Sequence, residues 1–335
     1  MEKRSPYQKG SLWYYAPTKG APISFAIMFA VSGTLHIYQC FKYKSWKVTG
    51  LLPWSALLFT AGFITRTVAA YGAWDNVGLY IASTVLLLAG PPVYEGSNFF
   101  TLGRILYYIP YHSPIHPGRV FTTFIALGAA VEAITANGAV LVANSGSSET
   151  ENKRKTGEAL LKAALILQLA LMVGFVALAS RFHHNCYRGG VLNTKIKRAL
   201  YVLYCSCALI TVRTIYRTVE YFSASGLTAS SKNISPILKN EWFFWVFEAV
   251  VMYLNTTLLN VFHPMQWLPR SNKIYLAEDG VTEIEGPGYE DHRPFLVTLV
   301  DPFDIVGLVK NKGRKERYWE VGDTRKAAST VSSPV

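Results

Sequence analysis

Charge is scarce in this 335-residue chain: Asp, Glu, Lys and Arg supply 16% of it, against 50% hydrophobic residues. A soluble domain carries roughly 25% charged residues, so the balance speaks against an ordinary water-soluble globule. Enzyme signatures are missing too. There is no Gly-x-x-x-x-Gly-Lys-Ser/Thr loop, no His-Glu-x-x-His pair and no Gly-x-Ser-x-Gly elbow, and the chain reads as a non-enzyme with no nucleotidase of its own. Four cysteines (Cys40, Cys186, Cys205, Cys207) make no disulfide framework, because two lie inside an apolar run. Cys205-Ser206-Cys207 turns its thiols to different helix faces, which argues against a shared metal; no metal site is expected. Cys40 and Cys186 lie near predicted membrane boundaries, where palmitoylation is chemically open. No cleavable signal peptide is evident: the first twenty residues are polar and aromatic, with Lys3, Arg4, Lys9 and Lys19. The first helix is therefore expected to serve as its own insertion signal. No internal repeat of fixed period is visible.

Long apolar runs are what the chain does have. A membrane crossing takes about 20 helical residues, and seven runs qualify: Ile23–Phe41, Leu51–Tyr71, Val77–Phe100, Arg119–Val142, Ala159–Phe182, Ala199–Phe222 and Trp242–Phe262. The predicted fold is all-α, a polytopic membrane protein with a bundle of seven transmembrane helices. Residues 1–21 read as an extracellular segment, 22–263 as the membrane domain and 264–335 as a largely disordered cytoplasmic tail, whose Leu296–Val300 and Ile305–Val309 are too short to span. Pro91-Pro92 predict a kink in the third span, tolerable in lipid only where neighbours or a cavity satisfy the freed carbonyls. Asn144 to Gly157, rich in Ser, Glu and Lys, reads as a solvated loop.

The net charge of +12 does not point to nucleic acid, because the basic residues flank apolar runs and so face anionic headgroups. Lys42, Lys44 and Lys47 sit in loop one, Arg188, Lys195, Lys197 and Arg198 in loop five, and Lys310, Lys312, Arg314, Lys315 and Arg317 in the tail. The positive-inside rule then places the N-terminus outside and the C-terminus in the cytoplasm, although the basic N-terminal stretch pulls the other way. Asn233-Ile234-Ser235 is an outward-facing glycosylation sequon, handicapped by Pro236.

Polar residues inside the spans carry the chemistry. A charge at mid-bilayer costs roughly 2.5–3.5 kcal/mol on insertion scales, so such groups turn inward and find partners. In span six, Arg213, Arg217 and Glu220 fall at i, i+4 and i+7 on one stripe, leaving a positive excess for Glu132 of span four or Glu248 of span seven. Glu241, Glu248 and Asn255 recur every seven residues and should share a face. Arg66, Glu95, His36 and Gln168 add further polar groups. A register-fixing ion-pair network and the lining of a substrate path are both open readings, and they can coexist. His36 alone reads as a packing or hydrogen-bonding histidine. The sequence cannot set two histidines at one depth as haem ligands. Most Tyr and Trp residues read as the interfacial belt.

Arg213-Thr214-Ile215-Tyr216-Arg217-Thr218-Val219-Glu220-Tyr221 resembles the Arg-Ser-x-aromatic-Arg-x-x-Glu-aromatic signature of the fungal lipid-translocating exporter family, the RTA-like proteins. Tyr15-Ala16-Pro17-Thr18, Gly62-Phe63 with Arg66, Leu102-Gly103-Arg104-Ile105, Gly157 with Gln168, Glu241 with Glu248, and Asn260-Val261-Phe262-His263-Pro264 agree with it in order. The resemblance covers about Tyr15 to Pro264. It implies seven helices and export or flipping of phospholipids, sphingoid bases or amphipathic toxins at the plasma membrane, with some relatives linked to porphyrin uptake. Departures alter the charge of the presumed cavity. Glu132 holds a Gln position, Thr135-Ala136-Asn137-Gly138 replaces a Gly-rich stretch, and the usual span-four Asp is absent. The acidic residue usual before the Gly-aromatic pair of span two is missing, Glu95 stands where a small residue is common, and Glu248 replaces what is often Asp. The leading expectation is a translocase for amphipathic lipids: Arg66, Arg213 and Arg217 meet anionic headgroups, while Glu132, Glu220 and Glu248 meet an amine or relay protons. Rival readings are a receptor-like sensor of lipid or drug stress and a porphyrin or haem carrier using His36 or loop histidines; no other cofactor is expected.

Overall fold

The computed structural model describes residues 13, 15, 17–73, 75–113, 117–143, 151–224, 235–271, 273–277 and 279–285. Seven of its helices are long and apolar enough to cross a membrane. They are α1 (Gly20–Tyr43), α2 (Leu51–Ala70), α3 (Val77–Tyr108), α4 (Pro117–Ala143), α5 (Glu151–Arg188), α6 (Thr194–Ala224) and α7 (Trp242–Phe244, Trp245–Val250 and Val251–Val261 in succession). The seven-span expectation holds, each apolar run matching its helix to within one residue or lying inside it. The helices outrun the apolar runs where their ends are polar. Helix α5 starts at Glu151, where a loop was expected to continue to Gly157. Glu151, Lys153, Arg154 and Lys155 are good helix formers, and Arg154 pairs with Glu158 one turn on at 2.7 Å. Residues 144–150 lie outside the described ones.

Helix α3 continues through Pro91 and Pro92. The carbonyls deprived of an intrahelical donor are those four residues earlier, Leu87 and Leu88. Next to the proline pair, the Ser55 hydroxyl of α2 donates to the Gly90 carbonyl at 2.7 Å.

The chain divides into two units: 1–97, 128–172 and 205–263, and 98–127, 173–204 and 264–335. In the first, α1, α2 and α7 meet on a column of rings. Phe29 stacks on Phe59 at 4.6 Å, and Phe25 lies between Phe63 and Trp245 at 5.5 Å from each. Lipid gives no hydrophobic drive between helices, so close backbone approach and polar bonds must supply the cohesion. Gly138 of α4 and Gly157 of α5 provide the approach: a Cβ on either would come within 3.0 Å of the other's carbonyl oxygen. Polar bonds line the α1–α7 seam. Ser32 Oγ meets Thr256 Oγ1 at 2.7 Å, Asn260 Nδ2 donates to Ser32 Oγ at 2.6 Å, and Gln39 Nε2 donates to the Asn260 carbonyl at 2.7 Å.

In the second unit, Phe175 meets Phe99 and Phe124 edge to face, and the three ring centroids are 4.8–5.4 Å apart. Within the tail, whose residues 264–335 were expected to be largely disordered, lies an antiparallel hairpin, β1 (Ile274–Leu276) and β2 (Glu283–Glu285), with Tyr275 opposite Ile284. Two strands alone are marginal, and this pair is tied down from α3 and the turn after it. Tyr111 OH donates to the Leu276 and Ala277 carbonyls at 2.6 Å, and Tyr108 OH donates to Glu283 at 2.8 Å. The Arg104 guanidinium donates to the Pro269 carbonyl at 2.8 Å and to that of Arg270. Residues 286–335 lie outside the described ones.

Candidate functional site

The ion-paired arginines of α2 and α6 in the first unit, with their acidic partners, fall into two clusters. Helix α6 presents Arg213 and Arg217 one turn apart. Arg213 grips Glu248 of α7 with two bonds, Nε to Oε2 at 2.9 Å and Nη2 to Oε1 at 3.0 Å. Arg217 Nε adds a third at 2.7 Å, while its Nη1 donates to Glu220 at 2.6 Å. Tyr216 OH donates to the other oxygen of Glu220 at 2.9 Å. Arg213 and Glu248 are almost wholly buried, with side-chain exposures of 1% and 0%, whereas Arg217 and Glu220 keep 15% and 23%. The positive excess on α6 is thus met by Glu248 rather than by Glu132.

In the second cluster, Arg66 of α2 donates from Nη2 to Glu241 at 3.1 Å and to Tyr15 OH at 2.8 Å. The other Glu241 oxygen accepts the Thr18 backbone N–H at 2.9 Å and its hydroxyl at 2.6 Å. Burial raises the pKa of Tyr15 above its ordinary value, with Arg66 pulling the other way. Phe244 joins the clusters: its ring centroid is 4.1 Å from the Arg66 guanidinium carbon and 5.6 Å from that of Arg217.

Beside them lies a cavity of about 530 Å³. Its charged and amide lining is Arg66, Glu132, Gln168, Arg217 and Glu220; its rings are Trp13, Tyr15, Tyr80, Tyr221 and Phe244. Val85, Leu87, Leu88, Pro92, Leu161 and Leu165 are among its apolar wall. Leu87 and Leu88 are the residues whose carbonyls the proline pair frees, so the double proline sits where a cavity borders the helix.

Several sequence-selected residues stand elsewhere. Arg213 and Glu248, expected to meet ligand, are locked together behind the wall. Asn255 accepts a bond from Ser206 at 2.7 Å, and His36 Nε2 lies 3.0 Å from Thr256 Oγ1. Neither residue is exposed, and neither lines the cavity. Glu95, also buried, accepts from Gln168 at 2.8 Å and so stands behind a cavity residue. Asn233 lies outside the described residues. The shared face expected of Glu241, Glu248 and Asn255 is broken. Glu248 and Asn255 turn to α6, whereas Glu241 turns to Arg66. The cause is local: Trp245–Val250 is π-helical, and its wider turn advances fewer degrees per residue, so a seven-residue step no longer returns to one face. Sequence reading missed Phe244, because Trp242-Phe243-Phe244-Trp245 looks like an interfacial belt; its place beside Glu241 was the available signal.

Fold and cavity define a polytopic integral membrane protein whose buried charges are gathered around an internal chamber. The model of the family described as RTA1 like protein matches residues 53–271, and the chain belongs to that family. A protein of Leptosphaeria maculans named "Lipid-translocating exporter-like protein RTA1" is 41% identical over 87% of this chain, which spans 58% of that relative's length. One of the same name from Ajellomyces capsulatus is 31% identical over 82% of the chain and 86% of its own length. "Probable lipid transporter atnI" of Emericella nidulans is 25% identical over 76% of the chain and 68% of its own length. No solved structure matches the chain.

Proposed function

We propose that the protein is a non-enzymatic carrier that translocates amphipathic lipids, such as phospholipids or sphingoid bases, across the membrane, and that the chamber of the first unit is where it holds them. One observation carries this reading: charged groups (Arg66, Glu132, Arg217, Glu220) and an apolar wall line the same cavity of about 530 Å³. That size suits a small-molecule site, which typically spans about 300–1,000 Å³. A headgroup exchanges its hydration for the charged cluster and the aromatic rings, while its chain lies on Leu87, Leu88 and Leu165. The relatives' names agree with lipid as cargo. We take the N-terminus to lie outside and the tail in the cytoplasm on the distribution of Lys and Arg, and the membrane to be the plasma membrane on the family resemblance.

Arg213 and Glu248 serve this site from behind. Their bidentate pair fixes α6 against α7, so that Arg217 and Glu220 stand on the wall with their geometry set. The test is a reconstituted flip assay in phosphatidylcholine vesicles with a fluorescent sphingoid base or phospholipid. Wild-type protein should speed transfer between leaflets, and Arg217→Ala and Glu220→Gln should each slow it at normal expression. Unchanged rates in both variants would remove the cavity from the mechanism.

A further inference from the structure

The carboxylates near the chamber differ in one respect. Glu220, Glu241 and Glu248 each have an arginine within 3.1 Å, and Glu95 accepts the Gln168 amide. Glu132, half-buried on the cavity wall, makes no hydrogen bond or ion pair among the described residues. An isolated carboxylate in a low-dielectric wall is costly as a bare anion, and either a proton or a cationic guest relieves it. The rings that share its cavity suit a cation. Trp13, Tyr80 and Tyr221 line the same cavity, and aromatic faces attract ammonium groups, quaternary ones included.

We propose that Glu132 is an exchange site that binds a proton or an ammonium headgroup but not both, so that the chamber moves an ammonium amphiphile in return for a proton. The proposal rests on the carrier reading above and adds its coupling. The step is a proton transfer. The Glu132 O–H bond breaks, its electron pair stays on the carboxylate, the proton passes to water, and the anion then holds the cation; the reverse reloads the site. The groups around Glu132 are Glu95 of α3, Gln168 of α5, Arg213, Arg217 and Glu220 of α6, Arg66 of α2, and the phenols of Tyr15, Tyr80 and Tyr221. The three arginines already face Glu241, Glu248 and Glu220. Among these groups, Glu132 is the cavity-wall carboxyl not committed to an arginine.

The test uses full-length protein in phosphatidylcholine vesicles with a trapped pH dye, and a fluorescent long-chain trimethylammonium amphiphile as probe. A quaternary probe has no neutral form, so it cannot follow a pH gradient by crossing as a free amine. With the interior one pH unit more acidic, one-for-one exchange should concentrate the probe inside about tenfold, since one unit is a factor of ten, and the interior pH should rise. Glu132→Gln should abolish both responses. Probe movement without a pH response in the wild type would overturn the coupling and leave the carrier reading standing. Accumulation that persists in Glu132→Gln would remove Glu132 from it. Absence of all movement would count against the carrier reading, and a second measurement then decides for Glu132. Calorimetry in two buffers of different ionisation enthalpy counts protons released when the probe binds detergent-solubilised protein. Release should occur in the wild type and vanish in Glu132→Gln, and equal release by both overturns the proposal.

Discussion

Replacing Glu248 with leucine takes one carboxylate out of α7, strands the Arg213 guanidinium and removes one of two acidic partners from Arg217. Arg213, with 1% of its side chain exposed, loses both of its bonds to that carboxylate, and Arg217 keeps only Glu220. Removing one member of a buried ion pair typically costs about 3–5 kcal/mol, mostly because the remaining charge is left without a partner. For a chain of this size that corresponds to a fall in unfolding temperature on the order of 10 °C. The same physics says how to undo it. Adding Arg213→Met to Glu248→Leu removes the stranded charge and leaves Arg217 with Glu220, and well-packed apolar replacement of a buried pair is often neutral or stabilising. The double variant should therefore be more stable than Glu248→Leu alone, although it changes more of the core. Unfolding temperatures of the wild type and the two variants, from fluorescence-detected size exclusion after heating in detergent, give the answer. A single variant as stable as the wild type, or a double variant worse than Glu248→Leu, would refute the view that the pair is a buried, mutually compensating unit.

Other outcomes follow from the packing. Gly138→Leu should destabilise by about 1–3 kcal/mol, because its side chain would meet the Gly157 carbonyl and Leu161; heating in detergent reads it. Arg104→Ala frees the Pro269 and Arg270 carbonyls and should speed protease cleavage between residues 264 and 285 without lowering the helical signal. The pH dependence of Tyr15 has a fixed sign. Its folded pKa is raised by burial from the ordinary 10.0, so the unfolded chain ionises first, and the contribution present below that value is lost as pH rises above it. Between about pH 9 and 11 the unfolding temperature should fall less in Tyr15→Phe than in the wild type.

The spans were legible because lipid demands long apolar helices, and length with composition suffices to find them. Their polar ends were not, since hydropathy stops where α5 passes from Glu158 back to Glu151 while the helix, held by backbone bonds, does not. The stripe of Arg213, Arg217 and Glu220 was legible as a stripe, since its i, i+4 and i+7 spacing needs only a helix. Which acid meets it was not, because Glu132 and Glu248 have equal claims until the helices are placed. The hairpin after residue 273 escaped because its strands, Ile274–Leu276 and Glu283–Glu285, are short and gain their stability from Tyr108 and Tyr111, far away in sequence. The π-helical stretch left no mark in the sequence, since Trp245–Val250 reads there as ordinary helix.

That stretch gives α7 a spare residue. A π turn fits one more residue into a helix than the α form needs, so deleting a single residue between Trp245 and Glu248 would let the helix close into continuous α geometry without breaking. Everything before the deletion would keep its phase relative to Glu248, because the wider turn takes up its extra residue without rotating the segments on either side. Glu241 would still reach Arg66, and Phe244 would still stand between the two arginines. The two charge clusters are therefore held in phase by a surplus residue absorbed in a wide turn, and forcing that turn into α geometry with the residue retained would alter which helices α7 addresses.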